Sequence, residues 1–176
     1  MRPDGRPAAG PAATRCRVCG TPAEAGARYC IHCGQAFDDA PGLRCPACTA
    51  NNLPGEPFCE ACGTPLPVTP YLVITDTGLR WPLFGSEQTS VVVGRSDPLT
   101  GVFPEVDLQP FGADRAGVSR HHARITRRNE ACWLEDLHSV NYTYLNDQRL
   151  LPDRPARLKD GDLLRLGQLL ITFRAG

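Results

Sequence analysis

Long apolar runs are missing from this sequence of 176 residues. No stretch approaches the roughly 20 consecutive apolar residues that a membrane-spanning helix needs, so we expect no membrane span. The N-terminal segment MRPDGRPAAGPAAT has no apolar core of the kind found in signal peptides. We therefore expect a cytoplasmic protein, in which thiols stay reduced and cysteines bind metal more often than they form disulfides.

An excess of charge of either sign is also absent. Lys and Arg together number 19, Asp and Glu together number 19, and the formal net charge is zero. The balance holds in both halves of the chain, and no basic patch or tail stands out. Because proteins bind nucleic acid largely through such patches, the composition disfavours a nucleic-acid-binding role.

Cysteine, in contrast, is abundant in the first third of the chain. The chain has nine cysteines, and those in the first third form four Cys-x-x-Cys pairs: Cys16/Cys19, Cys30/Cys33, Cys45/Cys48 and Cys59/Cys62. The second half of this region repeats the first and keeps its glycine and aromatic positions as well as its cysteines. Such a pattern indicates a repeated structural unit.

The cysteine spacing suits a tetrahedral thiolate shell around a metal ion. Two intervening residues let one tight turn present both sulfurs, and the longer gap forms a hairpin that brings the second turn opposite the first. Few large apolar residues accompany the cysteines, so we expect structural zinc to supply folding free energy, about 10–16 kcal/mol in such peptides. A disulfide framework or redox-active pairs remain alternatives.

This cysteine pattern resembles the double zinc ribbon. The resemblance implies two structural zinc ions, each held by four cysteines: Cys16, Cys19, Cys30 and Cys33 for one, and Cys45, Cys48, Cys59 and Cys62 for the other. Glycine follows three of the four pairs and predicts a positive φ there, whereas Thr49 follows the third pair. Four thiolates leave a formal charge of about −2 on each site, which favours contact with protein over nucleic acid.

The remaining boundaries follow from composition. Residues 1–14 are rich in Pro, Ala and Gly and are predicted to be disordered. The zinc module occupies residues 15–63. Residues 64–70 alternate proline with other residues, which predicts a semi-rigid extended linker. A second domain then occupies residues 71–176.

The second domain lacks any helix-period segment of useful length. It contains short β-type runs separated by turn residues, at 71–75, 79–84, 89–93, 106–109, 121–127, 131–135, 143–145, 148–150, 163–166 and 169–173. Alternation of apolar residues is visible in Ala123/Ile125 and in Leu164/Leu166. Many short strands at this spacing predict a mainly β fold, a β-sandwich preceded by the small zinc module.

Several short motifs occur in a fixed order along this domain. They are Gly94-Arg95, Ser119-Arg120-His121-His122, Ser139-Val140-Asn141-Tyr142-Thr143, Asp160-Gly161-Asp162 and Leu166-Gly167. Together and in this order they resemble the forkhead-associated (FHA) domain. The resemblance implies a sandwich of two twisted sheets with recognition loops gathered at one end.

The FHA resemblance also implies that these loops bind phosphothreonine on a partner protein. A phosphate dianion needs a permanent cation and several directed donors. The resemblance assigns contact with the phosphate to Arg95 and Ser119, and contact with the main chain of the peptide to Asn141. Arg120 can add a second positive charge, and His122 supports the serine loop from behind without touching the ligand.

Three positions depart from the FHA pattern. Glycine is usual where His138 and Tyr142 stand, and threonine is usual where Val140 stands. Valine has no hydroxyl to donate to a phosphate, and losing one such bond costs about 1.5–3 kcal/mol. Tyrosine in place of glycine predicts an altered turn, because tyrosine disfavours a positive φ.

These features predict a non-enzymatic signalling adaptor. The FHA-like domain would bind a threonine-phosphorylated protein, either a Ser/Thr kinase or its substrate, and the zinc module would contact a second protein. One alternative is a phosphate-independent scaffold or assembly module, and another is a zinc-ribbon nucleic-acid-binding protein. An enzyme would require Ser119, His122 and an acid such as Asp136 to form a triad, and no nucleophile-elbow motif accompanies them.

Overall fold

A computed structural model describes residues 21–22, 43–84 and 88–176. The first predicted zinc site (Cys16, Cys19, Cys30 and Cys33) and the predicted disordered segment 1–14 lie outside the described residues. Among the residues described, we find no helix whose length and apolarity would suit a membrane crossing.

The regular elements of the described chain are mainly short β-strands. They are β1 (Leu43–Arg44), β2 (Asn51–Asn52), β3 (Tyr71–Ile74), β4 (Leu79–Pro82), β5 (Ser90–Gly94), β6 (Val106–Asp107), β7 (Ala123–Arg128), β8 (Ala131–Asp136), β9 (Thr143–Leu145), β10 (Gln148–Arg149), β11 (Ala156–Arg157), β12 (Leu163–Leu166) and β13 (Leu169–Arg174). A 3-10 turn at Gln109–Phe111 follows β6. Each predicted β run of residues 71–176 overlaps an observed strand; β11 was not predicted.

Strands β3 to β13 form the two sheets of a sandwich. The six-stranded sheet has the order β10-β9-β12-β13-β3-β4 and is antiparallel throughout. The five-stranded sheet has the order β11-β8-β7-β5-β6, with β5 and β6 running parallel. The predicted mainly β sandwich is therefore confirmed.

The core lies between the inward faces of the two sheets. Leu164, Ile171 and Phe173 of the six-stranded sheet pack in one buried cluster with Ile125 and Leu134 of the five-stranded sheet. Their positions alternate along each strand, as a half-buried strand requires. Burying a side chain of this size contributes about 1.5–3 kcal/mol, so the sandwich has a core of its own.

A smaller unit, the zinc ribbon, precedes the sandwich. Strands β1 and β2 pair antiparallel, and Cys45, Cys59 and Leu66 form a separate buried cluster. The backbone N–H of Leu66 donates to the carbonyl of Pro57 at 3.0 Å. The ribbon therefore continues to Leu66, and the proline-rich connection to the sandwich is shorter than the sequence pattern suggests.

The ribbon packs against the β3–β4 edge of the six-stranded sheet. Arg80 Nη1 donates to the Pro54 carbonyl at 3.2 Å and to Glu56 Oε1 at 3.0 Å. The ring of Tyr71 lies against Gly55, where an added Cβ would come within 2.7 Å of ring atoms. Gly55 also has a φ of 84°, which disfavours any side chain. The contact holds the ribbon at the sheet edge opposite β10.

Candidate functional site

Three loops meet at one end of the sandwich, following β5, preceding β7 and joining β8 to β9. The backbone N–H of Arg95 donates to the Ser119 carbonyl at 3.2 Å. Arg95 Nε donates to the Val118 carbonyl at 3.0 Å. Asn141 Nδ2 donates to the Gly117 carbonyl at 2.9 Å. These bonds bring together three of the predicted site residues, Arg95, Ser119 and Asn141.

The first two loops approach each other closely at Gly94. A Cβ at this position would lie 2.0 Å from the carbonyl oxygen of Arg120 and 3.0 Å from that of Ser119. Only glycine fits between these backbone atoms. Because Arg95 follows Gly94 directly, this close approach places the backbone of Arg95 against the loop that carries Ser119.

The hydroxyl of Ser119 is oriented by its neighbours. The N–H of Val140 donates to Ser119 Oγ at 3.1 Å, and the N–H of Ser119 donates to His122 Nδ1 at 2.9 Å. Since Oγ accepts from Val140, its own proton remains available for donation outward. Val140, lacking a hydroxyl of its own, thus contributes through its backbone.

His122 joins two of the loops from inside the domain. It is fully buried, and its Nε2 lies 3.2 Å from the carbonyl of Tyr142. Because Nδ1 accepts a bond from Ser119, Nε2 carries the proton and donates to Tyr142, so the imidazole is neutral. Burial lowers the pKa of His122, although the Tyr142 carbonyl and the Asp136 charge oppose that effect.

We expect acid to weaken the sandwich through His122. In the unfolded chain this histidine binds a proton near pH 6.5, whereas in the folded chain it does so only at lower pH. Its contribution to the free energy of unfolding is therefore fully present above pH 6.5 and is lost as pH falls, by at most about 1.4 kcal/mol per pH unit. Urea unfolding between pH 7 and 5.5 measures this slope. A His122→Gln variant should show a flatter profile, and equal slopes would contradict the assignment.

A buried carboxylate holds the loop between β8 and β9. Asp136 Oδ1 accepts the hydroxyls of Ser139 at 2.5 Å and Thr143 at 2.6 Å, and its Oδ2 accepts the Ser139 N–H at 3.2 Å. Ser139 and Thr143 were not among the predicted site residues. The signal was present, because two hydroxyl residues follow a strand-ending aspartate at close spacing.

Ser119, His122 and Asp136 do not form a catalytic triad in this arrangement. His122 Nδ1 bonds to the backbone N–H of Ser119 instead of its hydroxyl, and Nε2 faces a carbonyl. The carboxylate of Asp136 is occupied by the residues of its own loop. Neither His122 nor Asp136 is therefore placed to take the proton of the Ser119 hydroxyl.

Arg120 lies beside the loop that follows β5. Its Nη1 is 3.5 Å from Asp97 Oδ2 and 3.3 Å from Thr100 Oγ1. The Thr100 hydroxyl, with a smaller contribution from the Arg120 charge, lowers the pKa of Asp97. The structure therefore directs Arg120 to Asp97, whereas Arg95 forms no ion pair with any described carboxylate.

The backbone at His138 and Tyr142 has the conformation that glycine favours. The φ values are 55° and 62°, so the altered turn predicted from Tyr142 is not observed. Both side chains make contacts in this conformation. Arg149 Cζ lies 3.4 Å from the centroid of the Tyr142 ring, and His138 Nε2 lies 2.7 Å from Asp153 Oδ2.

The second predicted zinc site is assembled in the ribbon. The sulfurs of Cys45, Cys48, Cys59 and Cys62 all lie within 4.8 Å of one another. The Cys45–Cys62 and Cys48–Cys59 sulfur separations are both 3.6 Å. A tetrahedral ion with bonds of about 2.3 Å requires sulfur separations of about 3.8 Å. The four cysteines therefore fit zinc.

Two equivalent turns present these sulfurs. Thr49 and Gly63 each follow a pair, and their N–H groups donate to the carbonyls of Cys45 and Cys59 at 2.9 and 2.8 Å. Both residues have a positive φ, 60° for Thr49 and 71° for Gly63. Threonine thus adopts the turn for which glycine is usual, and its hydroxyl bonds to the Cys48 carbonyl at 2.7 Å.

The pKa values of two of these thiols differ from the usual value for cysteine. The side chain and backbone of Thr64 lower the pKa of Cys62 to about 6. A bond from the Ala50 backbone lowers the pKa of Cys48, but the Cys62 sulfur and burial raise it to about 12. With its pKa at about 12, the Cys48 thiol keeps its proton near pH 7, and a dication bound at the site would favour its thiolate form.

Two family models match this chain. Residues 91–167 match the FHA domain and residues 16–63 match the double zinc ribbon. The first covers the three loops described above, and the second includes both predicted cysteine sites.

Two curated proteins and a solved structure are also similar to this chain. Protein FraH of Nostoc sp. is 41% identical over 83 residues, which are 47% of this chain and 28% of FraH. FhaB of Mycobacterium tuberculosis, an FHA domain-containing protein, is 31% identical over 104 residues, 59% of each chain. The structure of Mycobacterium tuberculosis EmbR in complex with a low affinity phosphopeptide has a TM-score of 0.50 and 26% identity, over 66% of this chain and 26% of that one.

Proposed function

We propose that this protein, in which residues 91–167 match the FHA domain and residues 16–63 match the double zinc ribbon, is a non-enzymatic signalling adaptor. Its FHA domain binds a phosphothreonine-containing protein, either a Ser/Thr kinase or a kinase substrate. The ribbon supplies a second protein contact. The chain spans 28% and 59% of the two curated relatives, so their whole-protein roles are not transferred.

The observation that carries the proposal is that Arg95 and Ser119 lie next to each other at the end of the sandwich where the three loops meet. Arg95 is a permanent cation that no described carboxylate neutralises. Ser119 has a hydroxyl proton free to donate, because Val140 already donates to its oxygen. A cation beside a directed hydroxyl donor suits a phosphate dianion.

Asn141 supplies the remaining element of the proposed site. Its amide nitrogen is anchored on Gly117, which leaves the amide oxygen to accept from the main chain of a bound peptide. The residue is exposed, and Asp136 fixes the loop beneath it. His122 then acts as a positioning residue, since it is buried behind Ser119 and cannot reach a ligand. We assign Arg120 a peripheral role, in which a bound phosphate competes with Asp97.

The ribbon is suited to a protein contact by its surface. Phe58 is 58% exposed beside the second zinc site, and the thiolates of that site give the ribbon a negative charge. An exposed aromatic side chain is a common anchor in protein interfaces. The negative charge disfavours a nucleic-acid partner.

Fluorescence anisotropy of the zinc-loaded full-length protein tests the proposal. The probes are a randomised phosphothreonine peptide pool and matched phosphoserine and unphosphorylated pools. We expect binding to phosphothreonine alone, weakened about thirtyfold or more by Arg95→Ala and about tenfold by Ser119→Ala. Val140→Thr should strengthen binding severalfold, since it adds a hydroxyl beside Ser119.

A matched control is Arg128→Ala, which removes an exposed arginine at the far end of β7 and should leave affinity unchanged. Equal affinity for the phosphorylated and unphosphorylated pools would reject phosphothreonine recognition. That result would favour the phosphate-independent scaffold or assembly module.

A further inference from the structure

The outer face of the six-stranded sheet has an unusual charge distribution. The strands of this sheet contain four arginines and no aspartate or glutamate. The whole chain is electrically neutral, so this face concentrates positive charge. Two of the four arginines are already paired, Arg80 with Glu56 of the ribbon and Arg174 with Asp160.

The other two arginines stack on tyrosines beside the Asn141 loop. Tyr144 pairs in register with Arg149 on β10 and Arg165 on β12, so the three side chains share one face. Arg165 Cζ lies 3.6 Å from the centroid of the Tyr144 ring. Arg149 Cζ lies 3.4 Å from that of Tyr142. We call Tyr142, Tyr144, Arg149 and Arg165 the arginine–tyrosine ladder.

Both ladder arginines lack an acidic partner among the residues described. Arg165 Nη1 donates to the Gly167 carbonyl at 3.0 Å, which leaves most of its N–H groups free. Stacking on a ring holds a guanidinium in one plane and directs its donors outward along the edge. A planar fork of this kind matches a carboxylate, which can accept two parallel bonds.

We propose that the arginine–tyrosine ladder binds acidic side chains that flank the phosphothreonine of the partner. This inference rests on the proposed function, because it places the flanking residues of the same peptide. Tyr142 follows Asn141 directly, and an extended peptide advances about 3.3 Å per residue. Carboxylates a few residues from the phosphothreonine therefore reach the ladder, which makes it a specificity determinant.

The charge of this surface favours an acidic peptide over nucleic acid. Two arginines without an acidic partner lie next to the Asn141 loop. The ribbon, which carries negative charge when zinc is bound to its four cysteines, lies at the other edge of the same sheet. An extended polyanion would meet that repulsion, whereas two or three carboxylates would not.

Four peptides of identical length test the ladder on the full-length, zinc-loaded protein. The central residue is phosphothreonine or threonine, and the flanking positions on both sides are all Glu or all Gln. With phosphothreonine at the centre, we expect the Glu peptide to bind about tenfold more tightly than the Gln peptide at low salt. The difference should shrink as ionic strength rises. The double variant Arg149→Gln, Arg165→Gln should abolish this difference, so that the Glu peptide binds no more tightly than the Gln peptide.

The controls separate this inference from the proposed function. Arg174→Gln removes an already paired arginine of the same sheet and should preserve the Glu preference. Equal affinity of the protein for the Glu and Gln peptides would reject the proposed role of the ladder. So would a double variant whose affinities for the two peptides fall by the same factor. Phosphothreonine binding would stand in either case. Loss of phosphorylation dependence would overturn the proposed function, and the two threonine peptides would still report on the ladder. Displacement of the Glu peptide by an equally charged single-stranded oligonucleotide at lower concentration would assign the face to nucleic acid.

Discussion

Removal of zinc is expected to unfold residues 43–66 and to leave the sandwich of residues 71–176 folded. The ribbon's buried cluster consists of Cys45, Cys59 and Leu66, and its two strands have two residues each. Zinc binding supplies about 10–16 kcal/mol in such units, far more than this cluster can provide. The sandwich keeps its own core. Amide resonances assigned to the two parts report on each separately when a chelator is added.

Two cysteine variants provide the matched comparison for zinc removal. Cys59→Ala should reproduce the effect of the chelator on residues 43–66 without any added reagent. Cys132→Ala removes a buried cysteine of the sandwich and should retain all of the metal. We expect two zinc ions per chain by metal analysis of the purified protein. Survival of the ribbon resonances in metal-free protein would contradict the structural role of the ion.

Gly94→Ala is expected to lower the free energy of unfolding of the sandwich by about 3 kcal/mol or more. The added methyl would lie 2.0 Å from the backbone oxygen of Arg120, an atom that no side-chain rotation can move. Relief requires the loops carrying Arg95 and Ser119 to separate. Phosphothreonine binding should therefore fall along with stability. Urea unfolding and the anisotropy assay measure the two effects.

Gly101→Ala is the matched control for Gly94→Ala. Gly101 has a φ of 70°, and no atom lies within 4 Å of its would-be Cβ, so the substitution brings strain without collision. Its cost should be about 1 kcal/mol. If both variants lose the same stability, the loop contact at Gly94 is softer than the geometry indicates.

The sequence predicts best those features that depend on spacing. Four cysteines at a hairpin spacing specify a metal site whatever surrounds them, and the sulfurs of Cys45 to Cys62 converge accordingly. Alternating apolar residues likewise predict the strands, because one face of each strand must be buried. The two-residue strand β11 escapes this reasoning, since it pairs with β8 without any alternation long enough to detect.

Features that depend on distant partners could not be predicted from local sequence. Tyr142 disfavours a positive φ by its local preference, yet it adopts one with Arg149 against its ring. Arg120 follows Ser119 directly, but its contact with Asp97, 23 residues earlier in the chain, has no local signal in the sequence. The contact of Arg80 with Glu56 joins the ribbon to the sandwich, and no local pattern predicts whether these two parts pack together. Each outcome depends on tertiary packing, which overrides local preference.

Because the ribbon is bonded to β4, the six-stranded sheet sets a fixed distance between the ribbon and the strands at its opposite edge. The ribbon contacts β4 at one edge of the sheet, and β9 and β10, next to the Asn141 loop, lie at the other edge. Five inter-strand spacings separate those edges, about 24 Å in all. Two proteins held at the two ends would therefore be kept at a set distance and orientation instead of exploring the volume that a flexible tether allows. Simultaneous binding at both ends would increase the apparent affinity only for pairs of partners whose contact points match that span.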